Sequence, residues 1–566
     1  MTESNMHTES DQSLRSAQQV SNTPPDTCVH CRRRLNLCIP VLLVVIAGVF
    51  VAMIWRDRET GSEQRRNIQT FIAIAVPSLF LFLWTIFLAP MGVRLRKGVA
   101  IGGLTLVILA AILYKIDGFD GDMQPIIRPR WWGKGKELVQ PVVLSDLDKK
   151  MLPPSSPPPG PVLPQTTPST PTTDPSEPVA LSADFPQFLG PARNGIIAPL
   201  ALHRDWSTKP PIERWRHDVG PAWSAFSVQN NRAITQEQRG SEEWVICYDL
   251  TTGRPLWTHR DTARYDTTIA GIGPRASPTI TDTRVITLGA TGLLNCLDLA
   301  TGHRLWSVDI IADNDAAVLE WGMAGSPLVD GDRVIISAGG KRGSVTAYNL
   351  TTGSRLWSAG NEATNYASPV IFTLLGERHL IIQNNFTITG HDPKDGRVLW
   401  SHPTPGAHPK VAQALRISDN RLLISSGYGT GSNCFELERQ TDGTITTRSI
   451  WKNILLKSKF ANMVQRDGYV YGLNDGTITC LNLADGERAW RGLRVGHGQL
   501  LITGDLLLIT SESGEVILAK ATHEQYVELS RFRAFTDKTW NSPALAGRFL
   551  LVRNDREAAC FELPME

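Results

Sequence analysis

Nine side chains after residue 220 are of the types that protein-binding sites favour. They are aromatic, cationic or amide-bearing, and most precede a short apolar run: Trp223, Arg239, Arg275, Trp321, Tyr366, Asn462, His497, Trp540 and Asn541. Tryptophan, tyrosine and arginine are enriched in binding hot spots. Arg239 and Arg275 each lie near a glycine-containing turn, where a charge needs water, a carboxylate or a ligand. The chemistry indicated is recognition; the alternative is that the three tryptophans only plug the ends of sheets.

No pattern typical of covalent or metal-dependent catalysis accompanies this set. The 12 histidines show no HExxH or paired-ligand spacing, and no Gly-x-Ser-x-Gly occurs at a strand-to-helix turn. Cys28-Val-His-Cys31 lacks the second pair of a zinc site, and the following Arg32 does not fit a haem motif. A lipid anchor and reduced thiols stay open for Cys28 and Cys31. We expect no catalytic residue and no bound metal.

Tryptophan recurs at intervals of 39 to 51 residues after position 210, which indicates a repeated structural unit. The candidate residues lie within this repeated region, so the repeat must position them. The recurring residues are Trp215, Trp257, Trp306, Trp357, Trp400, Trp451 and Trp490. Most of them close one phrase, such as Cys247-Tyr-Asp-Leu-Thr-Thr-Gly253 before Trp257. Self-similarity at this period suits the four-stranded blade of a β-propeller. We interpret the tryptophans as structural, filling the seams between blades.

The turns of one repeat have recognisable chemistry. Asp330-Gly331-Asp332 between two apolar runs predicts a tight hairpin. The Asp or Asn before each Thr-Gly pair can cap the backbone N–H groups of its turn, at Asp249, Asp298 and Asn349.

Eight segments begin like the first strand of a blade. They start near Trp223, Ala276, Gly325, Ala367, Ala412, Asn462, Gln499 and Asn541. The last repeat has three strands, so we predict that 212–215 adds the fourth and closes the ring. The seventh repeat lacks the tryptophan, and we expect Phe532 in its place. The predicted fold is all-β, an eight-bladed propeller of four-stranded antiparallel blades; seven blades is the alternative if one repeat is degenerate.

Three apolar stretches near the N-terminus are long enough to cross a bilayer, at about 35–55, 68–90 and 98–114. Basic clusters before the first and between the second and third place 1–34 in the cytoplasm and the propeller in the periplasm. A juxtamembrane segment (115–151) and a Pro-rich linker (152–180) then lead to the propeller (181–566).

The charge balance bears on nucleic-acid binding, and the cysteine positions bear on disulfide formation. The chain has 57 basic and 55 acidic residues, so no global basic field favours nucleic acid. Five of its 8 cysteines occupy equivalent repeat positions in different blades, too far apart for disulfides. They are Cys247, Cys296, Cys434, Cys480 and Cys560.

The phrase Ala/Cys-x-Asp-x-x-Thr-Gly-x-x-x-Trp resembles the repeat of pyrroloquinoline-quinone-type (PQQ-like) propellers over about 184–566. That family includes quinoprotein alcohol dehydrogenases and the non-enzymatic lipoprotein of the outer-membrane β-barrel assembly machine. The segment Phe185-Pro-Gln-Phe-Leu-Gly-Pro-Ala-Arg-Asn-Gly195 is similar to the lead-in of a bacterial group of such propellers, as are 236–240, 273–278 and 540–543.

The resemblance implies two functional classes. The quinoproteins hold calcium with Glu and Asn, use an Asp base, and often stack the cofactor on a disulfide of adjacent cysteines, but this chain has no Cys-Cys pair. We therefore expect no cofactor and a non-catalytic platform in the cell envelope that binds proteins or peptides. The alternatives are a PQQ- and calcium-dependent dehydrogenase oxidising an alcohol or sugar, and an envelope sensor coupled to the spans.

Overall fold

Long apolar helices form the first described part of the chain. The computed structural model describes residues 27–56, 63–89, 91–131 and 184–566, so 152–180 and most of 1–34 lie outside the described residues. Helices α1 (Thr27–Arg56), α2 (Glu63–Phe87) and α3 (Val93–Leu113) belong to a unit separate from the β-rich unit that begins at Ile116. Both α2 and α3 are long and apolar enough to cross a membrane. The shorter apolar helix Pro40–Arg56 within α1 falls short of that length, so the first predicted span stays a prediction.

The β-rich unit contains eight antiparallel sheets of the predicted four-stranded type. The strands of blades 1 to 4 are Ser227–Gln229, Arg232–Arg239, Glu242–Asp249 and Pro255–Asp261; Thr279–Ile280, Arg284–Leu288, Leu293–Asp298 and Arg304–Asp309; Leu328–Asp330, Arg333–Gly340, Gly343–Asn349 and Arg355–Ala359; and Val370–Leu374, Glu377–Gln383, Thr387–His391 and Val398–Pro403. The strands of blades 5 to 8 are Leu415–Arg416, Arg421–Ser426, Gly431–Arg439 and Ile445–Asn453; Val464–Arg466, Tyr469–Asn474, Thr477–Asn482 and Arg488–Arg494; Gln499–Thr503, Leu506–Thr510, Glu515–Lys520 and Glu528–Arg533; and Ala544–Ala546, Phe549–Arg553, Glu557–Glu562 and Ile212–Asp218. The eight-bladed propeller is thus confirmed.

The β-rich unit also contains smaller elements. A short helix (Ile310–Asn314) follows blade 2, and strand Ile196–Ile197 adds to blade 7 in parallel. Two separate hairpins pair Tyr114–Phe119 with Pro125–Pro129 and Asp266–Thr267 with Gly271–Ile272.

The ring closes where the sequence predicts. Strand Ile212–Asp218 pairs antiparallel with the C-terminal strand Glu557–Glu562, and Trp215 lies opposite Cys560. The first and last parts of the propeller therefore share one blade, which leaves no open edge between them.

Each blade tryptophan reaches into a seam between blades. The indole Nε1 of Trp257 donates to Leu299 O of blade 2 at 3.0 Å, and Trp215 donates to Leu250 O of blade 1 at 2.7 Å. The glycine of the next Thr-Gly turn lies under the ring: a Cβ on Gly302, which has φ +71°, would be 2.4 Å from Trp257. In five seams the phrase thus acts as one unit, because the tryptophan of one blade lies on the glycine turn of the next. The indole of Trp400 instead donates to His379 Nδ1 of its own blade at 2.9 Å.

The turn caps are confirmed. Asp249 Oδ1 accepts from the backbone N–H of Thr251 at 3.1 Å and of Thr252 at 2.9 Å. Asp298 and Asn349 make the equivalent pairs of bonds in blades 2 and 3.

The seventh blade departs from the expectation for Phe532. Phe532 pairs with Val516, whereas Ser530 lies opposite Leu518, the position that a tryptophan takes in other blades. The missing indole is compensated by Trp206, which is buried and meets Phe532 edge-on at 5.5 Å. The prediction failed because the compensating ring lies more than 300 residues away in sequence.

Candidate functional site

An aromatic chamber of about 340 Å3 lies inside the propeller, where the residues that precede the first strands converge. Its wall is an arc of touching rings. Tyr366 stacks on Trp321 with centroids 5.1 Å apart, and Phe460 meets Trp321 edge-on at 6.0 Å. Phe460 then contacts Trp540 at 5.2 Å, and Trp540 contacts Trp223 at 5.0 Å. Such a wall offers flat apolar surface for a ligand or a polypeptide.

A polar belt just behind the wall fixes its position. Backbone N–H groups of one blade donate to side chains of the next: Ser277 N to Ser326 Oγ at 2.9 Å, Ser326 N to Ser368 Oγ at 2.9 Å, and Gln413 N to Asn462 Oδ1 at 2.8 Å. Asn541 Nδ2 completes the last junction by donating to Ser224 O of the first blade at 2.8 Å. Buried polar groups paired in this way hold the rings rigidly in place.

Cations sit on the rings of this wall. Lys459 Nζ lies 5.1 Å from the Tyr428 centroid and 5.0 Å from that of Phe460, and Lys538 Nζ lies 4.2 Å from that of Trp540. The Arg275 guanidinium lies 4.2 Å from the centroid of the Tyr265 ring. Burial lowers the pKa of both lysines and brings that of Arg275 to about 10. These three basic side chains can face anionic or carbonyl groups.

The lead-in segment closes one side of the chamber. Phe188 lines the cavity, and Arg193 is buried, donating to Ser326 O and Pro327 O at 3.0 Å each. The segment also pairs with blade 1 through Phe185 and Val228.

The loops before the first strands of the blades meet at one end of the chamber, which is here called the channel mouth. A hairpin of the β-rich unit covers this mouth. Phe119, Asp120, Gly121 and Met123, at the tip of hairpin Tyr114–Phe119/Pro125–Pro129, line the cavity. This hairpin lies in the segment assigned as juxtamembrane, and the sequence analysis did not predict it.

The predicted binding residues divide into three groups. Six line the chamber: Trp223, Arg275, Trp321, Tyr366, Asn462 and Trp540. His497 is buried at the hairpin, and Asn541 belongs to the polar belt. Arg239 is not among the chamber-lining residues; it pairs with the buried Glu237 and stacks over Trp244 at 4.6 Å.

Phe460, Tyr428, Lys459 and Lys538 were not predicted from the sequence. Phe460 could have been found, because it stands two residues before Asn462 just as Tyr366 stands two residues before Ser368. Aligning the repeats on the belt residue would have placed it in the wall. The lysines carry no such signal, since only the fold brings them onto aromatic faces.

No group of three or more His, Cys, Asp or Glu side chains that could hold a metal ion occurs among the described residues. The carboxylate of Glu512 is used by the Trp540 indole and the backbone of Gly121 and His497. Aromatic walls could stack a planar ring, and the carboxylates among the chamber-lining residues are those of Asp120 and Glu320.

One buried carboxyl beside Arg275 makes a pH prediction. Glu243 is 5% exposed, and burial raises its pKa to about 7 from 4.5, with Ala290 N–H and Arg275 opposing and Asp261 adding to the rise. The folded chain thus holds this proton more tightly than the unfolded chain, so the stabilising effect of the proton is lost as pH rises from about 4.5 through about 7. Glu243→Gln should raise the free energy of unfolding by roughly 2–3 kcal/mol near pH 8 and change it little near pH 4. Urea unfolding at both pH values measures this, and an equal effect at both would contradict it.

Comparisons with known proteins agree with the architecture. Residues 241–492 match the profile of the family described as "Outer membrane protein assembly factor BamB". No curated protein matches the chain significantly. Quinohemoprotein alcohol dehydrogenase from Comamonas testosteroni superposes with TM-score 0.50 and 15% identity, over 67% of this chain and 80% of that one.

Two further solved structures are similar. A europium-containing methanol dehydrogenase gives TM-score 0.51 at 11% identity, covering 67% of this chain and 98% of that one. BamB from Moraxella catarrhalis gives 0.47 at 17% identity, covering 63% and 98%. At these identities the dehydrogenase superpositions show the fold alone. Residues 241–492 of the chain are thus similar to the BamB family, and its eight-bladed propeller fold is similar to that of the quinoprotein alcohol dehydrogenases.

Proposed function

We propose that this protein is a membrane-anchored, non-catalytic platform whose propeller binds proteins or peptides of the cell envelope at the channel mouth. One observation carries the proposal: the mouth already holds a polypeptide turn by hydrogen bonds from its own side chains. Lys459 donates to Gly121 O, Lys538 Nζ donates to Phe119 O at 3.2 Å, and Glu512 Oε1 accepts from Gly121 N at 2.8 Å. Side chains that satisfy main-chain groups suit recognition of a peptide.

The aromatic wall supplies the apolar half of such a site. Trp321, Tyr366 and Phe460 present flat surface beside the cations, a combination enriched at the centres of protein interfaces. The repeat match to a family described as an assembly factor of outer-membrane proteins favours protein partners over small substrates.

The proposed location follows from the N-terminal helices. Helices α2 and α3 suit a membrane, and the stretch at 35–55 would add a third span. With Arg32 to Arg34 and the cluster Arg94, Arg96 and Lys97 in the cytoplasm, three spans place the propeller in the periplasm. The segments 115–151 and 152–180 would then connect anchor and propeller. A sensor would use the same binding step and differ only in what the spans do afterwards.

The proposal needs no resident cofactor. A quinone-dependent dehydrogenase would require bound calcium, and no group of three or more His, Cys, Asp or Glu side chains that could hold a metal ion occurs among the described residues. Pyrroloquinoline quinone with calcium should therefore leave the melting temperature of the purified full chain unchanged, whereas binding to the native state would raise it.

Photo-crosslinking in intact cells tests the platform. Ile269 is 47% exposed and lines the chamber, so a photoreactive residue there should form adducts with a small, reproducible set of envelope proteins. The matched control is Leu356, which is 44% exposed on the outer strand of blade 3. Adducts should depend on Lys459, and Lys459→Met should reduce them at least tenfold. The same adducts at both positions, or none at 269, would reject the proposal.

A further inference from the structure

The hairpin over the channel mouth contacts the propeller through individual hydrogen bonds and ion pairs of its tip. Its tip is braced internally, since Asp120 Oδ1 accepts from Asp122 N at 2.9 Å and Gln124 N at 2.7 Å. The tip presents the backbone of Phe119 and Gly121 and the Asp122 carboxylate to the propeller.

Gly121 fits a position that admits no side chain. A Cβ built there would lie 2.0 Å from Cδ2 of His497, whose side chain is 2% exposed. The imidazole is fixed from two sides, because its ring meets Phe460 at 5.3 Å and its Nε2 lies 3.1 Å from Asp122 Oδ1. The mouth therefore selects a glycine at this point of a turn.

The residue after the glycine is selected by charge. Asp122 lies between His497 and Arg494, which pairs with its other oxygen. Burial tends to raise the pKa of Asp122, but the hydrogen bond to His497 and the charges of His497, Arg494 and Lys459 lower it below its usual value. The carboxylate is therefore held ionised, and an amide in its place would lose these charge-assisted contacts.

The strands of the hairpin are held much more weakly than its tip. Two ion pairs join them to the propeller, Asp117 with Arg556 and Arg128 with Asp537, both at 2.6 Å between partly exposed side chains. Ion pairs between partly exposed side chains add little stability, and an isolated two-stranded hairpin is marginally stable. The recognised unit is thus the turn, while the rest of the hairpin mainly carries it.

We propose that the channel mouth is a docking site for an acidic β-turn of a partner protein, a glycine followed by aspartate, and that hairpin 114–129 occupies this site in cis until the partner displaces it. This proposal rests on the proposed function, because it names the partner's chemistry and the regulation of the same site. Charge complementarity supports it: Lys459, Arg494 and His497 surround the acidic tip. The hairpin and the partner need to share only the turn, because the turn makes the residue-specific contacts with the channel mouth.

Fluorescence anisotropy on the full chain in detergent tests the proposal with a labelled synthetic peptide of the sequence Lys115–Pro129. The wild-type mouth is occupied and should bind the peptide weakly. Gly121→Val clashes with His497, frees the mouth and should tighten peptide binding at least tenfold. A peptide with valine in place of its own glycine should not bind, and adding Lys459→Met to the Gly121→Val chain should abolish the gain.

Each outcome decides a separate point. Equal affinity of wild type and Gly121→Val would overturn the cis occupancy, and no binding by a Gly121→Val chain with the wild-type melting temperature would overturn the docking site. A wild-type dimer that Gly121→Val converts to a monomer in light scattering would make a second copy the occupant and reject the partner. Peptide binding without adducts at position 269 would retain the acidic-turn site and remove the envelope platform; adducts without peptide binding would do the reverse.

Discussion

Arg553→Met is expected to lower the free energy of unfolding by roughly 3–5 kcal/mol, one of the two largest effects of any single substitution considered. Arg553 lies on the second strand of blade 8 and is 1% exposed. Its Nη1 donates to Thr235 Oγ1 and Gln236 O of blade 1 at 2.8 Å each, and its Nη2 donates to Gly220 O at 2.9 Å. The guanidinium therefore joins the last blade to the first.

Two consequences of the change add together. Methionine fills a similar volume but leaves three buried acceptors of the seam without this donor, at about 1–3 kcal/mol for each group that finds no other partner. It also removes a positive charge from the neighbourhood of Glu237, which is 0% exposed and whose charge interacts favourably with that of Arg553. A buried carboxylate that loses part of its compensation is costly.

A surface arginine of the same blade is the matched control. Arg548 has a side chain that is 51% exposed and pairs with Glu562 at 2.9 Å, so Arg548→Met should cost less than about 1 kcal/mol. Urea unfolding of the full chain, followed by tryptophan fluorescence, compares the two at equal protein concentration. If both variants lowered the free energy of unfolding equally, the hydrogen bonds of Arg553 would not be what holds the last blade to the first.

The sequence predicts the ring because most repeats carry their own local signal. The phrase around Asp249 and Thr252 contains both the turn cap and the glycine that receives the preceding tryptophan, so its recurrence gives the period, and the first-strand segments then give the number of blades. Closure by 212–215 could also be predicted by counting strands, because the last repeat has three strands and the segment 212–215 is a single strand before the first repeat. Such local and repeated signals survive without any knowledge of the tertiary structure.

The covered chamber could not be predicted in the same way. Gly121 meets Glu512 across 391 residues, and no period or pairing rule links the hairpin to blade 7. Its strands Tyr114–Phe119 and Pro125–Pro129 follow directly on an apolar helix, which masks their alternation. Arg553 was missed for a related reason: an arginine in an apolar strand signals burial only when its carbonyl partners in another blade are known.

Trp215→Ala is expected to lower the free energy of unfolding by roughly 3–5 kcal/mol, because a buried indole is lost at the seam between blade 1 and blade 8, the blade that contains both chain ends of the ring. Trp215 is 6% exposed and stacks near Tyr248 at 5.8 Å and His217 at 5.2 Å. Its Nε1–H bond to Leu250 O spans from blade 8 to blade 1. The substitution removes packing, the hydrogen bond and the cover of Gly253 together.

The repeat offers its own control at Trp357, in the seam between blades 3 and 4. Trp357 is only partly buried, and its Nε1 makes no hydrogen bond with the described residues. Trp357→Ala should therefore cost less, about 2–3 kcal/mol, and the difference between the two measures what the closing seam adds. Trp215→Phe separates the hydrogen bond from packing and should cost about 1–2 kcal/mol.

Proteolysis adds a readout that local packing alone would not change. If strand Ile212–Asp218 closes the ring, Trp215→Ala should expose both this strand and its partner Glu557–Glu562 to cleavage under native conditions, while Trp357→Ala leaves them protected. Loss of this pairing would leave strand Ile212–Asp218 without a neighbour and expose one edge of Glu557–Glu562, whose other neighbour is Phe549–Arg553. Equal protection of the two strands in both variants would mean that the remaining seams hold the ring without Trp215, and closure would then depend on the backbone ladder and Arg553.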